Sequence, residues 1–94
     1  MFEAHNRLVI ESAEQARLLE ERFAQASDHM SRVPGFVKFG MLRSQDGSHF
    51  IVVTRWETEQ YFRDWVASPH FQAAHGRRSP EGQAQVGAYE VVYD

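Results

Sequence analysis

Two eight-residue apolar runs, Phe36 to Arg43 and His49 to Trp56, stand either side of the pentapeptide Ser44-Gln45-Asp46-Gly47-Ser48. Asp-Gly between runs rich in β-branched and aromatic residues is a strong hairpin signal, here in a slightly long loop. The middle of the chain is therefore expected to fold as an antiparallel ribbon. Both faces of that ribbon are substantially apolar, because Phe36, Phe39, Met41, Phe50, Val52 and Ile51, Val53 divide between them. Such a ribbon needs cover on both sides.

The flanking sequence supplies one side of it. Residues 2–10 alternate, with Phe2, Ala4, Asn6, Leu8 and Ile10 pointing one way and Glu3, His5, Arg7 and Val9 the other, which is the pattern of a half-buried strand. Ser12 followed by Gln15 has capping-box spacing, and Ala16, Leu19, Phe23, Ala26 and Met30 then mark one face of a helix of about five turns. Val33-Pro34-Gly35 ends it. Thr58 is placed to cap a second helix with Tyr61, Phe62, Trp65 and Val66 on one side, and Ser68-Pro69 interrupts it and restarts a short helix through His75. Gly76 to Gln85 reads as a loop, and Val86 to Tyr93 as a closing strand. The order βαββααβ predicts one α+β domain over residues 1–94, a ferredoxin-like split βαβ fold with a four-stranded antiparallel sheet. Helices cover only one face of such a sheet. A second sheet is expected on the other, giving a homodimer packed sheet on sheet as a dimeric α/β barrel.

Composition excludes several classes of function. The 94 residues suffice for one compact domain, and 43% hydrophobic with 13% aromatic content can build a core. Thirteen acidic against ten basic side chains give a net charge of −3, and no basic cluster extends beyond Arg77-Arg78, so nucleic acid is not an expected partner. With no cysteine there is no disulfide, thiolate nucleophile or iron–sulfur site. The histidines lack the i, i+4 spacing of a zinc-binding helix, and no phosphate loop or Gly-x-Ser-x-Gly elbow is present. No apolar run reaches membrane-spanning length and the first residues lack a signal-peptide core, so a cytoplasmic location is expected.

Three residues stand out against their surroundings. Asn6 interrupts the apolar face of the first strand, where a buried amide without partners costs about 1–3 kcal/mol; a backbone or water contact would satisfy it without any function. Trp65 lies on the apolar stripe of the second helix, where a core anchor is the plainer reading. His75 follows Phe71 by one turn near a helix end, a position that also suits a cation on the helix dipole.

In order along the chain, Asn6-Arg7-Leu8-Val9-Ile10, Val33-Pro34-Gly35-Phe36, Trp56-Glu57-Thr58 and the run from Phe62 to His75 form a series. It resembles the antibiotic-biosynthesis-monooxygenase superfamily and, within it, the IsdG-type haem-degrading monooxygenases, over nearly the whole chain. The Val-Pro-Gly-Phe and Trp-Glu-Thr segments speak for the fold; Asn6, Trp65 and His75 match the set that marks the haem-degrading branch. The resemblance implies an oxygen- and reductant-dependent cleavage of haem, releasing iron and a bilin-type product, with haem as both substrate and oxygen-activating cofactor. It implies His75 as the ligand of haem iron, Trp65 pressing on the porphyrin, and Asn6 donating toward iron-bound oxygen. Arg22, Phe23 and Arg77, with Arg78, become candidate contacts for the propionates and the macrocycle; Arg22 and Arg77 read equally well as solvated surface arginines. With no flavin or nicotinamide motif, electrons are expected from an external donor, a reductase partner. A cofactor-independent monooxygenase of quinols or aromatic metabolites, and a non-catalytic haem-binding protein, remain the alternatives.

Overall fold

The computed structural model describes residues 1–69 and 84–94, and runs β1 (Phe2–Val9), α1 (Ala13–Phe23), α2 (Ala26–Met30), β2 (Phe36–Arg43), β3 (His49–Trp56), α3 (Glu59–Val66) and β4 (Ala84–Glu90). The strands form one sheet in the order β2-β3-β1-β4, each pair antiparallel. This is the ferredoxin-like arrangement.

Register decides which side chains meet. Phe2, Ala4 and Asn6 of β1 stand opposite Trp56, Thr54 and Val52 of β3, so these alternate residues share the face toward the helices. Simple alternation would put Phe36 and Phe39 on opposite faces. A bulge between Phe36 and Lys38 shifts the register so that Phe36 pairs with Trp56 and Phe39 with Thr54, and both rings turn inward. The core is Phe2, Ala4, Met30 and the fully buried Trp56, with Val33, Phe36, Phe62 and Trp65 packed around it. Trp56 is its centre: the rings of Phe36, Phe62 and Trp65 lie 5.4–6.0 Å from it.

The expected single long helix is two. Ser12 caps α1 by accepting from the Gln15 N–H, and Gln15 returns by accepting from Glu11 N–H, but the helix stops at Phe23 and restarts at Ala26. Neither proline nor glycine breaks it. The physical reason is burial: α1 holds no buried residue, whereas α2 must deliver Met30 into the core, and a straight helix cannot serve both positions. The closing strand also lies earlier than expected, at Ala84–Glu90 rather than Val86 to Tyr93, because pairing with β1 ends opposite Phe2 and only Val91 N–H continues, to Met1 O at 2.9 Å. The helix expected to continue from Ser68-Pro69 to His75 lies, beyond Pro69, outside the described residues.

Candidate functional site: a cleft between sheet and helices

α3 begins at Thr58, whose hydroxyl accepts from Tyr61 N–H, and ends where Ser68 N–H and Oγ both bond to Trp65 O at 2.9 and 2.6 Å. Those terminal bonds fix the turn that carries Trp65. Its ring lies 5.4 Å from Trp56 at 34° and 6.4 Å from Phe62, so Trp65 is a core anchor on one side. Its other side is a wall. Between α3, the sheet and the α1–α2 segment runs a cleft of about 1500 Å³, and Asn6, Phe23, Phe39, Thr54, Tyr61 and Trp65 are among its lining residues.

The structure thus brings Asn6, Trp65, Phe23 and Arg22 to one cavity. Phe23, from the end of α1, stacks on Phe39 of β2 at 6.1 Å and 27°, which sets its ring along the wall. Arg22 sits in the last turn of α1, where the dipole favours a cation. His75 and Arg77, with Arg78, fall outside the described residues. On the floor, Asn6 Oδ1 is buried with no hydrogen-bond partner among the described residues. Of the plain readings open to Asn6, a bond to nearby backbone is therefore not the one adopted.

Two lining groups lie outside the set that the sequence singles out. Arg32 lies in the turn after α2 and lines the same cleft, but an isolated arginine in a loop is indistinguishable from a solvated one. Thr54 was legible in principle, since alternation with Phe50, Val52 and Trp56 places its hydroxyl on the inner face. The third feature is Gly35, with φ of 78°: a methyl group there would overlap the ring of Tyr61. The Val33-Pro34-Gly35 turn thereby presses on a cleft-lining aromatic.

Among the described residues, the ionisable side chains lining the cleft are Arg22, His29 and Arg32 on the α1–α2 side and Glu59, Arg63 and Asp64 on α3. Arg63 is engaged by Glu59 one turn earlier, Nε to Oε2 at 2.9 Å. The most strongly linked charges lie on the opposite face of the sheet. There Glu3 is held below the usual carboxylate range by its hydrogen bond with His5 at 2.7 Å, and further by Arg55, which also binds Asp94. That cluster is not part of the cleft.

Among the described residues, the split βαβ sheet and its helices thus enclose an aromatic-walled cleft with an unpartnered polar atom on its floor. Residues 1–77 match the antibiotic biosynthesis monooxygenase family, and this chain belongs to it. A heme oxygenase (mycobilin-producing) from Mycobacterium tuberculosis is 36% identical over 81 residues, covering 81% of this chain and 75% of that protein. A heme-degrading monooxygenase from Listeria welshimeri is 36% identical over 52 residues, 51% of this chain and 43% of its own length. Among solved structures, the heme-degrader MhuD from Mycobacterium tuberculosis, with two hemes bound in its active site, aligns with a TM-score of 0.73 at 30% identity over 98% of this chain and 97% of that one. SnoaB, a cofactor-independent oxygenase from Streptomyces nogalater, aligns with a TM-score of 0.79 at 22% identity over 99% of this chain and 94% of its own, a likeness of fold alone.

Proposed function

We propose that this chain is a haem-degrading monooxygenase that opens the porphyrin ring with dioxygen and an external electron donor. The observation that carries this reading is the cleft itself, in which Trp65 and Phe23 face an apolar floor broken by the unpartnered Asn6 Oδ1, in a chain akin to the mycobacterial heme oxygenase. Haem is flat, largely apolar and edged with carboxylates, and the residues present fit it. Aromatic walls hold the macrocycle, and the Arg22 and Arg32 edge suits its propionates. His75 is the proposed iron ligand, and Arg77 a further propionate contact. Asn6 offers the only side-chain amide among the described residues lining the cleft, placed to orient oxygen against the ring. Haem supplies the iron that activates dioxygen; the protein supplies position and a dry wall. The partners proposed with this reading are a reductase for electrons and a second copy of the chain on the outer sheet face, with a cytoplasmic location.

Hemin titration followed by turnover tests the proposal. A sharpened Soret band is expected, lost in His75→Ala, and it should decay on addition of ascorbate with catalase present to remove free peroxide. Asn6→Ala is expected to keep the band and lose most of the decay, because it removes an interaction made during reaction rather than in binding. Trp65→Phe should be intermediate. A protein that gives no Soret shift would leave a quinol or aromatic-metabolite monooxygenase as the better reading, and one that binds haem without turnover would be a haem-binding protein.

A further inference from the structure

The pairing of β1 with β3 sets two polar side chains side by side on the cleft floor. Asn6 stands opposite Val52, and Ala4 stands opposite Thr54, so Asn6 and Thr54 are diagonal neighbours with backbones about 7–8 Å apart. The other described residues flanking Asn6 on this face are apolar: Ala4 and Leu8 along β1, Phe50 and Val52 on β3, Val86 and Ala88 on β4. Thr54 is 8% exposed, and its Oγ1 accepts the Trp56 indole N–H at 3.0 Å. Trp56 is fully buried and cannot turn away. Its bond occupies a lone pair of the hydroxyl and directs the Thr54 proton elsewhere.

Asn6 Oδ1 is a buried acceptor with no donor among the described residues, and Thr54 is a hydroxyl with a proton to give. No hydrogen bond joins the two directly, and a single oxygen set between diagonal neighbours can bond to both. We propose that Thr54 and Asn6 jointly hold one water molecule on the cleft floor, and that Thr54 is thereby a positioning residue for Asn6. The water accepts from Thr54 Oγ1–H and donates to Asn6 Oδ1. With Oδ1 committed in this way, Nδ2 is turned toward the cleft as a donor; without the water, the amide is free to turn over and present its carbonyl to the ligand. The chain Trp56, Thr54, water, Asn6 sets which end of the amide a bound molecule meets.

The water site stands on the apoprotein alone; its catalytic consequence rests on the haem-degrading reading. NMR of the labelled apoprotein is expected to show a water NOE to the Asn6 side-chain amide protons. Thr54→Val, which keeps shape and removes the hydroxyl, should abolish that signal and shift the Asn6 Nδ2 resonance, while Thr54→Ser should keep both. In the degradation assay Thr54→Val should lower kcat on the order of tenfold with KM for haem unchanged, and Thr54→Ser should restore it. Absence of the water NOE in the wild type overturns the proposal, as does an equal loss of kcat in Thr54→Ser and Thr54→Val, which would mark a packing role. Thr54→Val also strands the Trp56 indole, so its thermal unfolding is measured alongside; if it does not fold, the wild-type NOE and the Thr54→Ser result still decide. A wild type with the water signal but no turnover keeps the site and refutes the proposed function, whereas turnover without the signal does the reverse.

Discussion

At Gly35 a single absent atom leaves room for a cleft-lining ring. Its φ of 78° is a left-handed conformation that a side chain disfavours, and the place of the missing Cβ is taken by the Tyr61 ring. The turn is pinned on both sides, since Gly35 O accepts Glu57 N–H at 2.8 Å and Phe36 N–H bonds Val33 O at 3.1 Å. Gly35→Ala is therefore expected to cost on the order of 1–3 kcal/mol from backbone strain alone, seen as a lower Tm. The displaced Tyr61 should also weaken haem binding; an unchanged Tm would show that the turn relaxes freely. Glycine after Val33-Pro34 announced a helix stop in the sequence, but its closeness to Tyr61 did not, because that contact joins residues 26 positions apart. Asn6 was legible for the opposite reason. A polar residue at an inward position of an alternating strand is visible in the order of residues alone, and the structure leaves its Oδ1 unpartnered.

At the scale of elements, β1, β2, β3 and the capped starts of α1 and α3 followed from local chemistry, while the bounds of β4 and two further features did not. The break between α1 and α2 answers to where Met30 must go, and the bulge at Val37 answers to the rings on either side of it, so both are imposed by packing that no window of sequence contains. The β2–β3 loop is the reverse case. Asp46 Oδ1 accepts from Ser48 N–H at 2.9 Å and from Ser44 Oγ at 2.8 Å, and Gly47 takes φ of 76°. The Ser48 backbone bond, with the Ser48 and Ser44 side-chain bonds behind it, lowers the Asp46 carboxyl from 3.8 to about 2. A folded-state value below the unfolded one means that the contribution of the carboxylate to the turn is complete above pH 3.8 and is lost as pH falls through about 2. Carboxyl-carbon NMR should find the Asp46 midpoint near the lower value. A titration at the ordinary aspartate position would show that the loop bonds do not persist in solution.

For the molecule as a whole, the unsettled surface is the outer face of the sheet. Ile51 and Val53 are only half-buried there and Leu42 is 58% exposed, beside the Glu3, Arg55 and Asp94 cluster. The proposed dimer covers this strip, and because apolar area would drive it, molar salt should not dissociate it. Light scattering at micromolar concentration should give twice the 10.9 kDa chain mass, and Leu42→Asp should halve it; a monomeric wild type would sink the dimer. The helix-covered face differs in kind. α1 is fastened by its Ser12 cap, by the Phe23–Phe39 stack and by an ion pair between Glu20 and Arg43 whose side chains are about half exposed, and it buries no residue completely. Such attachments are weak. Amide protons of α1 should therefore exchange with deuterium through local openings, well before those of β1 and β3, which await global unfolding. The roof of the cleft is then its least stable part, and a rigid disc has a route in that leaves the sheet intact.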